Sequence, residues 1–342
     1  MNTKKFSLKF MLLPALGLAT IVLNSCSGDD PKKNPDVYVA GYEYNALGGS
    51  VAKLWKNGEP QNLTDSISNA YANSVFVSGS DVYVVGSEWG VAKLWKNGAV
   101  QNLIDDSFFY TDVNSVYVSS NDVYVAGEGY NAQGRLVAKL WKNGEPQNLT
   151  DGAFDAWANS VFVSGGNVYV AGYEHHAQGY VAKLWKNGTT QNLTDGTFDA
   201  WAYSVFVLGN DVYVAGTGRN AGGSFVAKLW KNGIEQNLTD STFAGTESVY
   251  VSGSDVYVAG YGYNSQTSVA KLWKNGIVQN LTNGTFSAKA YSVFVSDINV
   301  YVAGYEYNAH GIQVAKLWKN GVAQRLTDGT SHAAANSVFV VK

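Results

Sequence analysis

Carboxylates and aromatic rings recur at related positions along the chain, and both kinds of side chain could act on a sugar. Hydrolysis of a glycosidic bond needs two carboxyl groups, one acting as an acid and the other as a base or nucleophile. Five glutamates occur in variable segments that we assign to loops: Glu43, Glu88, Glu128, Glu174 and Glu306. Two of them could meet in the folded protein, but repetition of one sequence unit explains their recurrence more simply.

The histidines and serines do not define a catalytic or metal-binding set. His175 and His176 are adjacent and His310 occupies a variable segment, but no spacing of His, Cys and Asp matches a metal site. One serine recurs in every repeat without a dedicated base, which favours hydrogen bonding within the fold over nucleophilic catalysis. These serines are Ser74, Ser115, Ser160, Ser204, Ser248, Ser292 and Ser337. We therefore predict no catalytic residue, no metal and no cofactor.

Aromatic side chains in the variable segments are the stronger candidates for ligand binding. Exposed rings supply a large contact area at modest entropic cost, so they often dominate recognition surfaces. Our candidate ligand-binding residues are Tyr44, Trp89, Tyr130, His175, Trp201 and Tyr307. The alternative is that these rings simply pack beneath the loops.

A strongly repeated unit must position these residues. The octapeptide Val-Ala-Lys-Leu-Trp-Lys-Asn-Gly occurs seven times without substitution, at intervals of 40 to 46 residues. Its tryptophans are Trp55, Trp95, Trp141, Trp185, Trp230, Trp273 and Trp318. Each unit predicts four short strands, which in the second unit are 74–77, 81–86, 91–95 and 100–103. The Asn-Gly pair predicts a tight hairpin between the third and fourth strands. Such a period with such strands is typical of propeller blades.

The two ends of the chain complete one another. The first unit lacks its own first strand and begins at Asp36, whereas the chain ends with an orphan copy of that strand at 336–340. Pairing of these segments would close a ring and remove the exposed sheet edges. We therefore predict an all-β fold, a seven-bladed β-propeller of four-stranded blades over 36–342, with the C-terminal strand completing the first blade.

The octapeptide itself predicts packing rather than ligand binding. Its tryptophan and first valine share one face of a strand, while its alanine and leucine share the other, and both faces of a blade contact neighbouring blades. A ring of seven indoles that stack on a ligand is the less favoured interpretation. The first lysine of each octapeptide, such as Lys53, is expected to reach an acidic side chain or a carbonyl between blades.

The predicted topology separates a uniform end of the propeller from a variable one. Connections from second to third strand and from one blade to the next emerge at the same end, and they carry the variable aromatic and acidic residues. Identical Lys-Asn-Gly hairpins and short Ser-Gly-Asp turns occupy the opposite end. A specific ligand is therefore expected at the variable end, near the channel mouth.

The unit resembles seven-bladed β-propellers as a class over residues 36–342. It has no Trp-Asp dipeptide at a strand end, no double-glycine kelch pattern and no Ser-x-Asp-x-Gly-x-Thr-Trp box of the sialidase type. The repeat is most similar to uncharacterised surface lipoprotein repeats of the Bacteroidetes, a resemblance that implies a cell-envelope location and no particular chemistry.

The N-terminus predicts export and a lipid anchor. Three lysines precede an apolar stretch that is too short to span a bilayer comfortably, as in a secretory signal peptide. Leu23 and Ser25 before Cys26, the single cysteine of the chain, resemble a bacterial lipobox. The resemblance implies a signal peptide over 1–25, a lipidated linker over 26–35 with Cys26 acylated, and an outer-membrane protein that faces the cell surface. An ordinary secreted protein and the inner leaflet are the alternatives.

Composition narrows the partners. The 342 residues are 46% hydrophobic and 15% charged, with a formal net charge of −3, and no basic cluster occurs beyond the first ten residues. Nucleic acid is therefore not expected as a partner, and the membrane is expected to be contacted only through the lipid anchor. The leading hypothesis is a non-enzymatic binding protein for a glycan or protein. A glycan-active hydrolase or lyase at the channel mouth and an envelope scaffold are the alternatives.

Overall fold

The computed structural model describes residues 34–103, 110–239, 243–264 and 266–342. Residues 35–342 form one compact unit. The predicted Cys26 and signal peptide lie outside the described residues. Within those residues the structure contains strands and no helix, and accordingly none that is long and apolar enough to cross a membrane.

Seven antiparallel sheets of four strands make the blades, each with a first strand innermost and a fourth strand at the periphery. The innermost strands are β4 (Ala70–Ser78), β8 (Thr111–Ser119), β12 (Asp155–Ser164), β16 (Ala200–Leu208), β20 (Ala244–Ser252), β24 (Ala288–Ser296) and β28 (Ala333–Val341). The second strands are β1 (Asp36–Tyr44), β5 (Asp81–Glu88), β9 (Asp122–Tyr130), β13 (Asn167–His176), β17 (Asp211–Arg219), β21 (Asp255–Tyr263) and β25 (Asn299–Tyr307).

The outer half of each blade carries the octapeptide and its hairpin. The third strands are β2 (Ser50–Lys56), β6 (Val91–Lys96), β10 (Leu136–Lys142), β14 (Gly179–Lys186), β18 (Phe225–Lys231), β22 (Ser268–Lys274) and β26 (Gln313–Lys319). The fourth strands are β3 (Glu59–Asn62), β7 (Ala99–Asn102), β11 (Glu145–Asn148), β15 (Thr189–Asn192), β19 (Ile234–Asn237), β23 (Ile277–Asn280) and β27 (Val322–Arg325). The Asn-Gly residues between them have positive φ, such as 51° at Asn275 and 80° at Gly276, as a type I′ turn requires.

The C-terminal strand closes the ring, as predicted. Strand β28 pairs with β1, with Asp36 opposite Val341 and Val39 opposite Val338, so the first blade is assembled from both ends of the chain. Strand β28 also packs against the innermost strands of both neighbouring blades. No innermost strand is therefore left at an open edge of the ring.

The core lies between the blades. Seven clusters of buried residues each join one face of a blade to the facing side of the next. All seven octapeptide tryptophans are at most 1% exposed and belong to these clusters, which confirms the packing interpretation. Gly172 and Gly216 lie against the six-membered rings of Trp185 and Trp230, where a Cβ would collide with the indole. In all seven blades a Cβ at the repeated glycine of the second strand would collide first with a backbone carbonyl of the innermost strand, so the glycine permits the close approach of these two strands.

The innermost strands are longer than predicted. The predicted first strand of the second unit starts at Ser74, which leaves Tyr71 and the corresponding Trp157, Trp201 and Tyr291 outside the predicted strands, whereas all four lie within innermost strands of the structure. A β-bulge accounts for the difference, because one residue in each strand has no partner in the second strand. Pairing resumes beyond the bulge, which carries the strand to the variable end.

Candidate functional site

The central channel has two chemically different ends. We call the end with the connections between second and third strands, and between successive blades, the loop end. The end with the Asn-Gly hairpins and the turns between first and second strands is the hairpin end. Each innermost strand starts at the loop end and runs to the hairpin end, so its sequence gives the order of layers along the channel.

A closed ring of aromatic side chains narrows the channel toward the hairpin end. Each ring contacts both neighbours, with centroids 4.7 to 4.8 Å apart. The members of this aromatic girdle are Phe76, Tyr117, Phe162, Phe206, Tyr250, Phe294 and Phe339. Because every ring contacts both neighbours, the girdle forms a continuous aromatic constriction of the channel.

The recurrent serines form a layer next to the girdle and hold the blades together. The Val116 N–H donates a hydrogen bond of 3.2 Å to Ser74 Oγ of the preceding blade, and the same bond recurs around the whole ring. These hydroxyls are therefore structural hydrogen-bond acceptors, in agreement with the sequence interpretation.

The bulge positions form the next layer toward the loop end, and here the repeat breaks. In four adjacent blades the bulge residue is an asparagine whose side-chain amide donates to a backbone carbonyl of the next blade. These asparagines are Asn336, Asn73, Asn114 and Asn159. In the other three adjacent blades the residue is Tyr203, Glu247 or Tyr291, which we call the bulge triad.

Glu247 lies at the centre of the bulge triad and beside several phenols. Burial raises the pKa of its carboxyl to about 7, and the ammonium of Lys289 opposes that shift. No hydrogen bond or ion pair joins Glu247 to any residue in the part of the chain that the structure describes. Lys289 Nζ instead lies 4.1 Å from the centroid of the Tyr261 ring. Burial first, and the charge of Glu247 second, raise the pKa of Tyr203 and of Tyr261.

A second acidic site lies on the third blade. Asp112 and Glu128 are cross-strand partners in β8 and β9. Glu128 is 5% exposed and accepts a 3.0 Å hydrogen bond from Asn114, while Asp112 accepts one of 3.0 Å from the Tyr110 hydroxyl. Burial raises the pKa of both carboxyls, and the charge of Asp112 raises that of Glu128 further.

The other four recurrent glutamates are paired with lysines. Glu43, Glu88, Glu174 and Glu306 each form an ion pair with the first lysine of the octapeptide on the adjacent strand of their own blade. These lysines do reach acidic side chains as expected, though within a blade rather than between blades. Where the glutamate position is Gly218 or Gly262, the lysine stem lies over the glycine, and a Cβ would collide with it.

The six candidate ligand-binding residues fall into separate groups at the loop end. Tyr44 and Tyr307 flank His332, with centroid distances of 6.4 and 6.3 Å. His175 stacks on Tyr180 at 4.4 Å, and Trp201 contacts the same ring at 5.2 Å.

Trp89 and Tyr130 belong to neither group. Trp89 is 67% exposed in a turn with φ of 53°, and Tyr130 contacts Tyr110 at 6.2 Å. Tyr44, Tyr130, His175 and Tyr307 lie within second strands rather than in loops, because strand pairing extends further toward the loop end than the sequence pattern indicates.

A cavity of about 640 Å³ lies outside the channel, beside the fifth blade. Four of its charged lining residues form ion pairs, Arg219 with Asp199 at 3.1 Å and Lys228 with Glu235, and the fifth, Asp195, accepts a 2.9 Å hydrogen bond from the Thr197 N–H. It therefore offers a ligand few free charges. Among the described residues no group of three or more His, Cys, Asp and Glu could hold a metal ion.

Sequence reasoning missed Tyr203, Glu247, Lys289 and Asp112. Alignment of the seven units on the recurrent serine would have shown that the residue before it is asparagine in four units and differs in three. That signal exists in the sequence, but its position in the channel depends on the bulge.

Comparison with known proteins supports the fold. No protein-family model matches the chain, and no curated protein matches it. Among solved structures it is similar to a puromycin hydrolase, with TM-score 0.62 and 10% identity over 87% of this chain and 52% of that one. It is also similar to a Mycobacterium tuberculosis puromycin-hydrolyzing peptidase, with TM-score 0.59 and 11% identity over 85% and 51%.

A Pyrococcus horikoshii acylaminoacyl peptidase gives TM-score 0.55 and 12% identity over 86% of this chain and 52% of that one. The chain thus spans about half the length of these neighbours. At such identities the likeness shows a shared β-propeller fold and nothing about activity.

Proposed function

We propose that the protein is a non-enzymatic binding protein that takes a glycan or protein ligand at its loop end. One observation carries the proposal: in the described residues, every large aromatic side chain that is exposed lies at the loop end. These are Trp89, Tyr110, Phe154, Phe198, Phe243, Tyr263 and Phe286. Exposed rings grouped at one end of a molecule are characteristic of recognition surfaces.

Ring contacts at the loop end extend across blades, which favours a broad binding surface. One chain of contacts joins residues of the seventh, first and second blades, from Tyr291 through His332 to Tyr71. Another joins the fourth, fifth and sixth blades, from Trp157 to Tyr261. Rings held by neighbours lose little entropy on binding, and a surface without sevenfold symmetry can select an asymmetric ligand.

Alanine substitution at the loop end tests this proposal. The compact unit 35–342 is screened against glycan and protein arrays, and the affinity of any ligand found is measured for Trp89→Ala and Trp201→Ala. We expect a loss of about 1 to 3 kcal/mol at one or both positions if they are hot spots. Ile277→Ala at the hairpin end, where the side chain is also exposed, serves as the control. Unchanged affinity in both tryptophan variants, with loss in the control, would contradict the proposal.

The anchor is part of the proposal. Acylation of Cys26 and removal of 1–25 would tether the propeller to the outer membrane through the linker 26–35, with its loop end available to a ligand at the cell surface. Mass spectrometry of membrane-extracted protein should then find a diacylglyceryl cysteine at the N-terminus. A Cys26→Ala variant that remains equally membrane-bound would contradict the anchor.

A hydrolase is the second candidate, and the Asp112–Glu128 pair favours it. Cross-strand partners have Cβ atoms about 4.5 to 5.5 Å apart, which is similar to the carboxyl separation in retaining glycoside hydrolases. A pair in which one carboxyl holds its proton and the other is ionised could supply an acid and a nucleophile. Reducing-end release from oligosaccharides, abolished in both Asp112→Asn and Glu128→Gln, would support hydrolysis over simple binding.

A further inference from the structure

The bulge triad gives up a structural bond that the other four blades keep. In the fourth blade, Asn159 donates to the carbonyl of Ala202 in the fifth blade at 2.8 Å. In the sixth blade the equivalent residue is Glu247, and the equivalent carbonyl in the next blade is that of Ala290. A carboxylate cannot donate this bond, and a phenol has a different reach. Hydrogen bonds of this kind stabilise the contact between blades, so three adjacent replacements cost stability and indicate another role for these side chains.

The side chains around Glu247 form a site with complementary polar groups and flat apolar faces. Tyr203 lies on β16 and Tyr261 on β21, while Lys289 and Tyr291 lie on β24 and Tyr305 on β25. The rings of Tyr291 and Tyr305 are 5.5 Å apart, and Tyr203 contacts Tyr173 at 6.4 Å. The Lys289 ammonium acts electrostatically on the Glu247 carboxyl, but the two groups form no ion pair within the described residues. A hydrogen-bond acceptor and a donor thus remain available to a third group.

The aromatic girdle lies next to this site, on the side that faces the hairpin end of the channel. Girdle residues follow the bulge residues by three positions in each innermost strand, as Tyr250 follows Glu247, so they lie deeper in the channel seen from the loop end. The continuous ring of aromatic side chains constricts the channel beyond the bulge triad. A chain ligand entering at the loop end can therefore place only its terminus at the bulge triad.

We propose that the bulge triad, together with Lys289, binds a neutral sugar residue at the end of a glycan chain. This inference rests on the proposed binding function and specifies its ligand. Sugar hydroxyls donate to the Glu247 carboxylate and accept from the Lys289 ammonium, while the sugar ring lies against tyrosine faces. A free cation would be repelled by Lys289, whose ammonium already covers Tyr261. The carboxylate of an acidic sugar would be repelled by Glu247 in its ionised form.

Binding should depend on pH through Glu247. Burial raises its pKa to about 7 in the free protein, and no hydrogen-bond donor among the described residues counteracts that shift. Hydroxyl donors stabilise the charged form, so the bound sugar lowers this pKa and affinity rises as the pH increases through 7. The pKa values of Tyr203, Tyr261, Tyr291 and Tyr305 are all raised by burial. These phenols therefore stay neutral, and Lys289 is the charged neighbour.

The experiment uses methyl glycosides of neutral hexoses, with methyl glucuronide and choline as charged probes. Saturation-transfer NMR and calorimetry on wild-type protein should detect a neutral glycoside, with affinity that increases between pH 5.5 and pH 8. Glu247→Asn installs the residue that four other blades already use, so the fold should be retained while affinity falls at least tenfold. Asn73→Ala, in the second blade on the far side of the ring, removes the same kind of bond, to the Val113 carbonyl, and is the matched control: it should lower the melting temperature and leave affinity unchanged.

The outcomes separate this inference from the wider proposal. If Glu247→Asn binds a neutral glycoside as tightly as wild type, or if no neutral glycoside binds, the channel site is overturned. Preferential binding of choline or methyl glucuronide would also overturn it. A larger glycan or protein whose affinity depends on Trp89 or Trp201 would still support loop-end binding. A loss of affinity in Glu247→Asn, with unchanged affinity in Trp89→Ala and Trp201→Ala, would support the site at the bulge triad and contradict these two loop-end candidates.

Discussion

The two halves of each innermost strand differ in how faithfully they repeat. Toward the hairpin end, every blade has a serine whose hydroxyl accepts a hydrogen bond from a backbone N–H of the next blade. It also has an aromatic side chain whose ring contacts the rings of both neighbouring blades. Toward the loop end, the bulge residue is asparagine in four blades and Tyr203, Glu247 or Tyr291 in the others. The first half therefore closes the ring, whereas the second half distinguishes one side of the channel from the other.

The difference turns the repeat into its own control. Blades that keep the asparagine show what the fold needs at that position, and blades that replace it show where another requirement operates. Departures from a repeat that are adjacent in space, and that leave a carboxyl without a partner, are more informative than variable residues scattered on the surface. The same comparison explains why the loop-end glutamates, such as Glu88 and Glu306, are weak candidates for catalysis, since lysines of their own blades already pair with them.

The largest expected effect comes from removing the innermost strand of the first blade, because this strand contains both of the halves compared above. Deletion of 335–342 removes most of β28, exposes the faces of two neighbouring blades and opens the ring. We expect a loss of more than about 5 kcal/mol, which is comparable to the whole stability of many domains. Thermal unfolding followed by circular dichroism measures it. A truncated protein that melts within a few degrees of the parent would contradict ring closure.

Glu247→Gln should stabilise the protein at high pH and not at low pH. The folded-state pKa of about 7 lies above the usual 4.5 of a glutamate, so the folded state holds this proton more tightly than the unfolded state. Stability contributed by the protonated carboxyl is complete below pH 4.5 and is lost as the pH rises through 7.

Glutamine avoids that loss, so we expect a gain of about 2 to 3 kcal/mol at pH 8 that disappears near pH 4.5. Urea unfolding at the two pH values provides the measurement. Glu306→Gln, which removes an ion pair with Lys316, should not stabilise at pH 8. Equal effects of the two substitutions would refute the special environment of Glu247.

The serine layer should respond uniformly. Ser204→Ala leaves the N–H of Val249 without its acceptor and should cost about 1 to 3 kcal/mol. Ser115→Ala in another blade should cost a similar amount, because the same bond is lost. By contrast, Asn159→Ala should lower the free energy of unfolding, because it removes a hydrogen bond between blades. Tyr203→Asn should not lower it, because it introduces the residue that four blades already have at this position. Denaturant unfolding of the four variants would reveal the difference, and unequal serine costs would weaken the distinction between the two halves.

The smallest effect is expected at the hairpin end. Gly276 has φ of 80° and open space where a Cβ would lie, so Gly276→Ala introduces backbone strain without a clash. We expect a loss of about 1 kcal/mol in stability and no change in ligand affinity. A binding defect in this variant would place the ligand at the hairpin end and reverse the comparison.

Much of the architecture could be predicted from the sequence because the repeat is local and nearly perfect. Seven octapeptides, alternating valines and Asn-Gly turns determine strands, hairpins and blade count, and the split unit at the termini determines closure. Burial of the seven tryptophans followed from strand periodicity, because both faces of a blade contact another blade.

Tertiary structure decided which polar residues meet. Glu247 and Lys289 belong to different repeats, and they share a channel only because the ring closes and because a bulge shifts the register of each innermost strand. That bulge also carried Trp201 and Tyr71 from predicted loops into strands. Pairing of Glu174 with Lys183, and the absence of any such pair for Glu247 in the described residues, depends on which sheet face each side chain occupies. Strand periodicity determines local alternation, whereas cross-strand register and ring closure determine which side chains become neighbours.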